Sequence, residues 1–146
     1  MAFLIDVTDE RFKIPANRDV IEFIRRENPF AHSDIGDALI RLGKFVPGAR
    51  YYCPNYSSLA YVVLHNRASV IFAIAIGMQK IDFRLPLALV GAAMASREGE
   101  RSAVGADWLS VQPFPLCEPR AEVDATLRRC CEAAYEYARA LADDAS

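Results

Sequence analysis

Between residues 49 and 85 the hydrophobic positions of this chain alternate or run together, while on either side they recur every third or fourth residue. That change of period constrains the fold more than any other feature. A period of two sets side chains on the faces of a strand, and a period of 3.6 gathers them on one stripe of a helix. Residues 49–53 and 59–64 are rich in Tyr and Val, which suit a pleated surface. His65-Asn66-Arg67-Ala68 is a polar connector, after which residues 69–76 are almost wholly apolar. Beyond Gly77-Met78, the side chains of Ile81, Phe83 and Leu85 alternate with those of Lys80, Asp82 and Arg84, predicting a strand with one wet face. The segment reads as an antiparallel meander, with Gly77 placed to open a type II′ hairpin.

Helical spacing brackets this meander. Asn17 reads as the N-cap of a helix over 18–28, in which Val20, Ile21, Phe23 and Ile24 are apolar and Pro29 forbids continuation. Ser33 opens a second helix. Its Ile35, Ala38, Leu39 and Leu42 fit the i, i+3, i+4, i+7 template, and the stretch from Gly43 to Gly48 closes it. Pro86 can start a third helix over 87–95, residues 97–101 form a solvated loop, and 108–111 make one more strand. From 119 to 142, Val123, Leu127, Cys130, Cys131, Ala134, Ala138 and Leu141 form one apolar stripe. The expected class is α+β: an antiparallel sheet of four to six strands flanked by helices, in the order ααββββαβα, with a short strand at 3–7 as an optional addition. No repeat, linker or low-complexity tract divides residues 1–146, so a single domain is expected.

Composition narrows the function classes. A 146-residue chain with 53% hydrophobic and 25% charged residues can bury a core without disulfides or a structural metal. Its net charge of −2 is spread evenly, with seven basic and eight acidic side chains in 1–48 and four and six in 119–146. No basic arm is available for phosphate contacts, which argues against nonspecific nucleic-acid binding. The apolar start Ala2-Phe3-Leu4-Ile5 has no basic residues before it and ends at Asp6, unlike a signal peptide. The runs 70–77 and 85–95 are too short to span a bilayer. Cys53, Cys117, Cys130 and Cys131 contain no C-x-x-C, so reduced thiols and a cytoplasmic location are expected.

Chemistry-bearing motifs are sparse. His32 and His65 lie far apart, no cysteine–histidine spacing resembles a metal site, and adjacent Cys130 and Cys131 diverge by roughly 100° on a helix. Ser57, Ser58, His65 and Asp82 could be written as a triad, but no G-x-S-x-G elbow accompanies them. His65 is expected in an exposed connection, and Asp82 on a solvated strand face beside Lys80 and Arg84. Neither a Walker loop nor G-x-G-x-x-G occurs. No catalytic residue, metal ligand or cofactor is assigned.

Residues 50–61 hold four of the six tyrosines, together with Arg50 and Asn55. Tyr and Arg are enriched at protein interfaces because they combine contact area with a polar handle. Alternate tyrosines of a strand could equally pack the core. The candidate partner-binding residues are therefore Arg50, Tyr51, Tyr52, Asn55, Tyr56 and Tyr61. Trp108, alone of its kind, is expected in the core.

The run Phe72 to Gly77, the strand Lys80 to Leu85, a short helix, a strand bearing Trp108 and a closing helix with Ala134-Tyr135 together resemble the small bacterial MmcQ/YjbR-like domains. The likeness covers residues 49–142 and implies helices packed on an antiparallel sheet in this order. Basic residues or histidine commonly precede the Trp in those domains. Gly105-Ala106-Asp107 stands there in this chain, which argues against an inherited nucleic-acid role.

The first functional expectation is a non-catalytic protein-binding module, such as a toxin-neutralising immunity protein or a small adaptor, with a homodimer also compatible. The alternative is a small-ligand-binding domain or small enzyme, with its cleft between the sheet and the helix at 33–45. A third, nucleic-acid binding, requires Arg50, Arg67, Lys80 and Arg84 to share one face.

Overall fold

The structure is a computed structural model that describes residues 12–53, 61–112 and 121–145, with side chains of the last segment described over 125–142. A 3-10 turn at Pro15–Asn17 leads into α1 (Arg18–Glu27), and α2 spans Ser33–Gly43. Then come β1 (Arg50–Tyr52), β2 (Val62–His65), β3 (Ile71–Ile76), β4 (Lys80–Arg84) and α3 (Leu87–Ala95). The chain continues through β5 (Glu100–Arg101), β6 (Trp108–Val111) and α4 (Ala121–Ala145). The strands form one antiparallel sheet in the order β1-β2-β3-β4-β6-β5, so the class is α+β as the change of period predicts. The expected strand at 3–7 lies outside the described residues. β5 was absent from the expected order: two exposed charged residues carry no hydrophobic period, and only their pairing with Ser110 and Leu109 makes them a strand.

Both faces of the sheet are covered. On one, α2, α4 and Val90 of α3 pack against Val62, Leu64, Phe72, Ile81, Phe83 and Leu109. On the other, α1 and Phe12 pack against Tyr61, Val63, Ile71, Ile74 and Trp108. A sheet enclosed in this way explains why β3 is apolar on both sides. Its register slips between Leu64 and His65, which pair with Ala73 and Ile71, so that Phe72 is the extra residue. Phe72 and Ala73 consequently join the same cluster, as a bulge allows.

Covering the second face overturns three expectations. His65 is buried, with its ring edge-on to Phe12 at 5.1 Å and its Nδ1 2.9 Å from the Asn66 carbonyl oxygen. Arg84 is largely enclosed. Its Nε donates to Asp107 Oδ2 at 2.9 Å, and its Nη1 donates to the Ala16 carbonyl. Tyr137 of α4 donates to the same Asp107 oxygen at 3.2 Å, so one carboxylate ties β4 to α4. Asp82 is 3% exposed instead of solvated.

Asp82 lies across from Ser110 in the β4–β6 ladder, and its Oδ2 accepts from Ser102 Oγ at 2.5 Å. Among the described residues its Oδ1 has no hydrogen-bond partner. Burial pushes its carboxyl above the usual carboxylate range, opposed by the Ser102 and Ser110 hydroxyls and by the Lys80 charge. Folded protein therefore holds this proton more tightly than unfolded chain does. The stability that Asp82 contributes is full below the unfolded-state value near ~4 and is lost as pH rises through the folded-state value. Asp82→Asn keeps an acceptor for Ser102 and removes the charge. Its expected result is a higher midpoint than wild type in urea melts at pH 7, with the difference vanishing by about pH 4. Each unit of upward displacement is worth about 1.4 kcal/mol. A difference independent of pH would show that ionisation is not the cause.

Candidate interaction surface

The tyrosine-rich stretch does not stay together in space. Arg50 and Tyr51 are exposed on β1, a sheet edge, and Tyr51 keeps 47% of its surface. Tyr52 is half-buried, with its ring 4.9 Å from that of Phe12 in an edge-on contact. Tyr61 is 2% exposed and belongs to the core beneath α1, which corrects its placement at an interface. Asn55 and Tyr56 lie outside the described residues, as do Ser57 and Ser58. Alternation along β2 explains the Tyr61 result. Tyr61 and Val63 face α1, while Val62 and Leu64 face α2.

The nucleic-acid and catalytic sets fail on topology. Arg50 pairs with His65, beside the β2–β3 connection carrying Arg67, whereas Lys80 pairs with Ile76 at the opposite end of β3. Arg84 is already committed to Asp107. His65 and Asp82 sit on strands separated by β3 and engage different partners. Among the described residues, no group of three or more His, Cys, Asp or Glu could hold a metal ion. Among the described residues, no helix is long and apolar enough to cross a membrane.

Between the sheet and α2, where a cleft was expected, the packing is tight at two points. Gly36 and Gly43 let α2 lie directly on β2: a Cβ at either would come within 3.1 Å of Val62 Cγ2 or 3.0 Å of Leu64 Cδ2. A cleft of about 450 Å³ lies instead between α3 and α4, lined by Leu85, Leu89, Ala92, Ala93, Cys130 and Ala133 among others. Its rim is a small polar network. Arg129 Nη2 donates to Glu98 Oε2 at 2.7 Å, and Ser96 Oγ donates to Glu98 Oε1 at 2.8 Å. These hydrogen bonds hold the Glu98 carboxyl below its ordinary value.

The wall of this cleft is the most unusual element of the molecule. Residues 87–95 read Leu-Ala-Leu-Val-Gly-Ala-Ala-Met-Ala, with no polar side chain on any side of the helix. A helix apolar all round belongs in a core. Yet of its nine residues only Val90 is buried, while Leu87 is 64% and Leu89 45% exposed. The bounds of α3 were legible in the sequence, but its exposure was not. The available signal was the lack of any polar face, which means that such a helix needs cover on every side.

Cys130 faces this cleft without making it a nucleophilic site. Burial, with Glu98 nearby, pushes its thiol up to about 11, and burial raises that of Cys131 to about 12. Both are therefore protonated at neutral pH, and a thiol is a poor nucleophile. Comparison of the chain with protein-family models, curated proteins and solved structures returns no match. The resemblance of residues 49–142 to MmcQ/YjbR-like domains thus gains no support from them and carries no functional argument here.

Proposed function

We propose that this chain is a non-catalytic protein-binding module, of the kind represented by immunity proteins and small adaptors, and that α3 with its adjoining cleft is its contact surface. The supporting observation is the exposure of a nine-residue helix that contains no polar side chain. Contiguous apolar surface of this kind marks sites that another molecule covers. Arg50 and Tyr51 on the β1 edge offer a secondary contact region. Cys130 and Cys131 are reduced thiols, in keeping with action in a reducing cytoplasm.

A second reading draws on the cleft itself. A volume of about 450 Å³, apolar walls and a polar rim fit a small apolar ligand. Two substitutions separate the readings. Leu87 does not line the cleft, so Leu87→Arg spoils the outer face of α3 and leaves the cleft open. Ala133→Phe fills the cleft and spares that face. For a protein contact, Leu87→Arg is expected to weaken binding thirtyfold or more, as loss of an interface anchor worth ~2 kcal/mol does. The free domain should lose less than about 0.5 kcal/mol of stability, because Leu87 is mostly exposed. Affinities from calorimetry would be read beside thermal melts of the same variants. Loss of binding on Ala133→Phe alone would favour the small ligand, and unchanged affinity in both would remove α3 from the contact.

A further inference from the structure

We infer that the occupant of this surface is a second copy of the chain: two α3 helices meet about a two-fold axis, and the exposed Leu87 of each seats against the α3–α4 cleft of the other. The inference rests on reading α3 as a contact surface and names what covers it.

A two-fold contact uses one patch twice, so that patch must supply both what protrudes and what receives. Here one helix supplies the two. Leu87 stands out on one flank of the exposed side of α3, and the cleft begins on its other flank, at Leu89, Ala92 and Ala93. Charge favours self-contact in the same way. Any charge near the axis of a two-fold contact meets its own copy, and α3 has none along its length. The charges at the cleft rim, Glu98 and Arg129, neutralise each other at 2.7 Å, so a strongly acidic or basic partner would gain nothing there.

Gly91 adds an independent observation. It sits mid-helix with an ordinary backbone conformation, and a Cβ built there meets nothing within 4 Å. Packing among the described residues does not call for glycine, although glycine costs a helix interior about 1 kcal/mol relative to alanine. Ala88, Gly91, Ala92 and Ala95 are all exposed, at spacings that share one side of the helix. Without side chains beyond Cβ, that side admits a second helix axis at the short end of the ~8–10 Å range. A helix roughly 13.5 Å long covers less than the ~800 Å² per partner of a standard interface, so a dissociation constant in the micromolar range is expected.

Sedimentation equilibrium of the full chain, from about 1 to about 300 μM, tests this. The mass should climb from 16.2 kDa towards twice that value with concentration. Leu89→Arg should raise the dissociation constant at least thirtyfold. Gly91→Gln gives a sharper test because its two effects differ in sign. A bulky, good helix former should raise the melting temperature of the dilute monomer while weakening the dimer. A wild-type chain that stays monomeric throughout would overturn the self-contact. If Leu87→Arg still abolished binding to a different protein, α3 would remain a docking surface with another occupant. A monomer whose melting temperature falls on Leu89→Arg would mean that the chain covers α3 itself. A dimer indifferent to both arginine substitutions and to Gly91→Gln would overturn the inference and the α3 reading together.

Discussion

Leu127→Asp is expected to abolish most of the stability of the fold. Among the described side chains of α4, Leu127, Cys131, Ala134 and Ala138 are buried, at intervals of four, three and four, and they pack against the sheet with Phe72, Ile81 and Phe83. The Cys131 thiol, one helical turn on, is pushed up to about 12 chiefly by burial. A carboxylate at 127 would meet the same low-polarity surroundings. It would bring an unpaired charge and set two carboxylate oxygens where two methyl groups pack. The combined cost is at least about 4 kcal/mol, against a total of roughly 5–15 for a domain. Arg128→Ala, one residue on, provides the contrast. Arg128 is exposed, but its guanidinium lies 3.8 Å from the centre of the Phe45 ring. Its loss should therefore cost about 0.5–1 kcal/mol, more than a bare surface change, through the lost cation–π contact. Urea unfolding followed by circular dichroism measures both. Equal midpoints for the two variants would place the α4 stripe on the wrong side of the helix.

The same stripe shows why so much of the fold could be read in advance. Helix periodicity is a local property, and in α1, α2 and α4 every turn repeats the same demand for one apolar side. Even α3 was legible in its bounds, since Pro86 fixes its start and the apolar residues run to Ala95. What sequence could not convey was which surfaces face one another. The alternation of Lys80, Asp82 and Arg84 reads identically whether that side meets water or is enclosed with its polar groups paired. Only the sheet order puts Ser110 opposite Asp82, and only the loop before β6 brings Asp107 to Arg84. The tyrosines make the same point from the other direction. Tyr51 and Tyr61 belong to one aromatic-rich stretch, yet one is exposed on an edge strand and the other lies under α1. The candidate contact surface escaped for a related reason, because an apolar helix gives no sign in its own sequence that none of the described residues covers it.

Asn17 combines both lessons, and its replacement is the second change expected to have a large effect. The sequence placed Asn17 correctly at the start of α1, but its side chain makes no capping hydrogen bond. Fully buried, it reaches across the molecule instead. Nδ2 donates to the carbonyl oxygens of Phe12 at 3.0 Å and Ser69 at 2.8 Å, while Oδ1 accepts from the Ile71 amide at 2.8 Å. One side chain thereby joins the approach to α1 to the first residue of β3, and it holds Ser69, whose φ of +66° is unfavourable for a side-chain-bearing residue. Asn17→Ala would leave one amide and two carbonyls without these partners. At about 1–3 kcal/mol for each buried group left unsatisfied, reduced by whatever water can enter, the net cost should be near 3 kcal/mol. Asn17→Asp distinguishes this bridge from a helix cap. Asp is as good a cap as Asn, so a capping role predicts little change. The bridge predicts a loss at neutral pH at least equal to that of alanine, because a carboxylate would face two carbonyl oxygens with no proton to donate. Part of that loss should return on acidification, when the protonated side chain regains one donor. Hydrogen exchange adds a local readout: in Asn17→Ala the Ile71 amide should lose protection beyond the global loss of stability. If Asn17→Asp melts like wild type at pH 7, the bridge is not what holds α1 to the sheet.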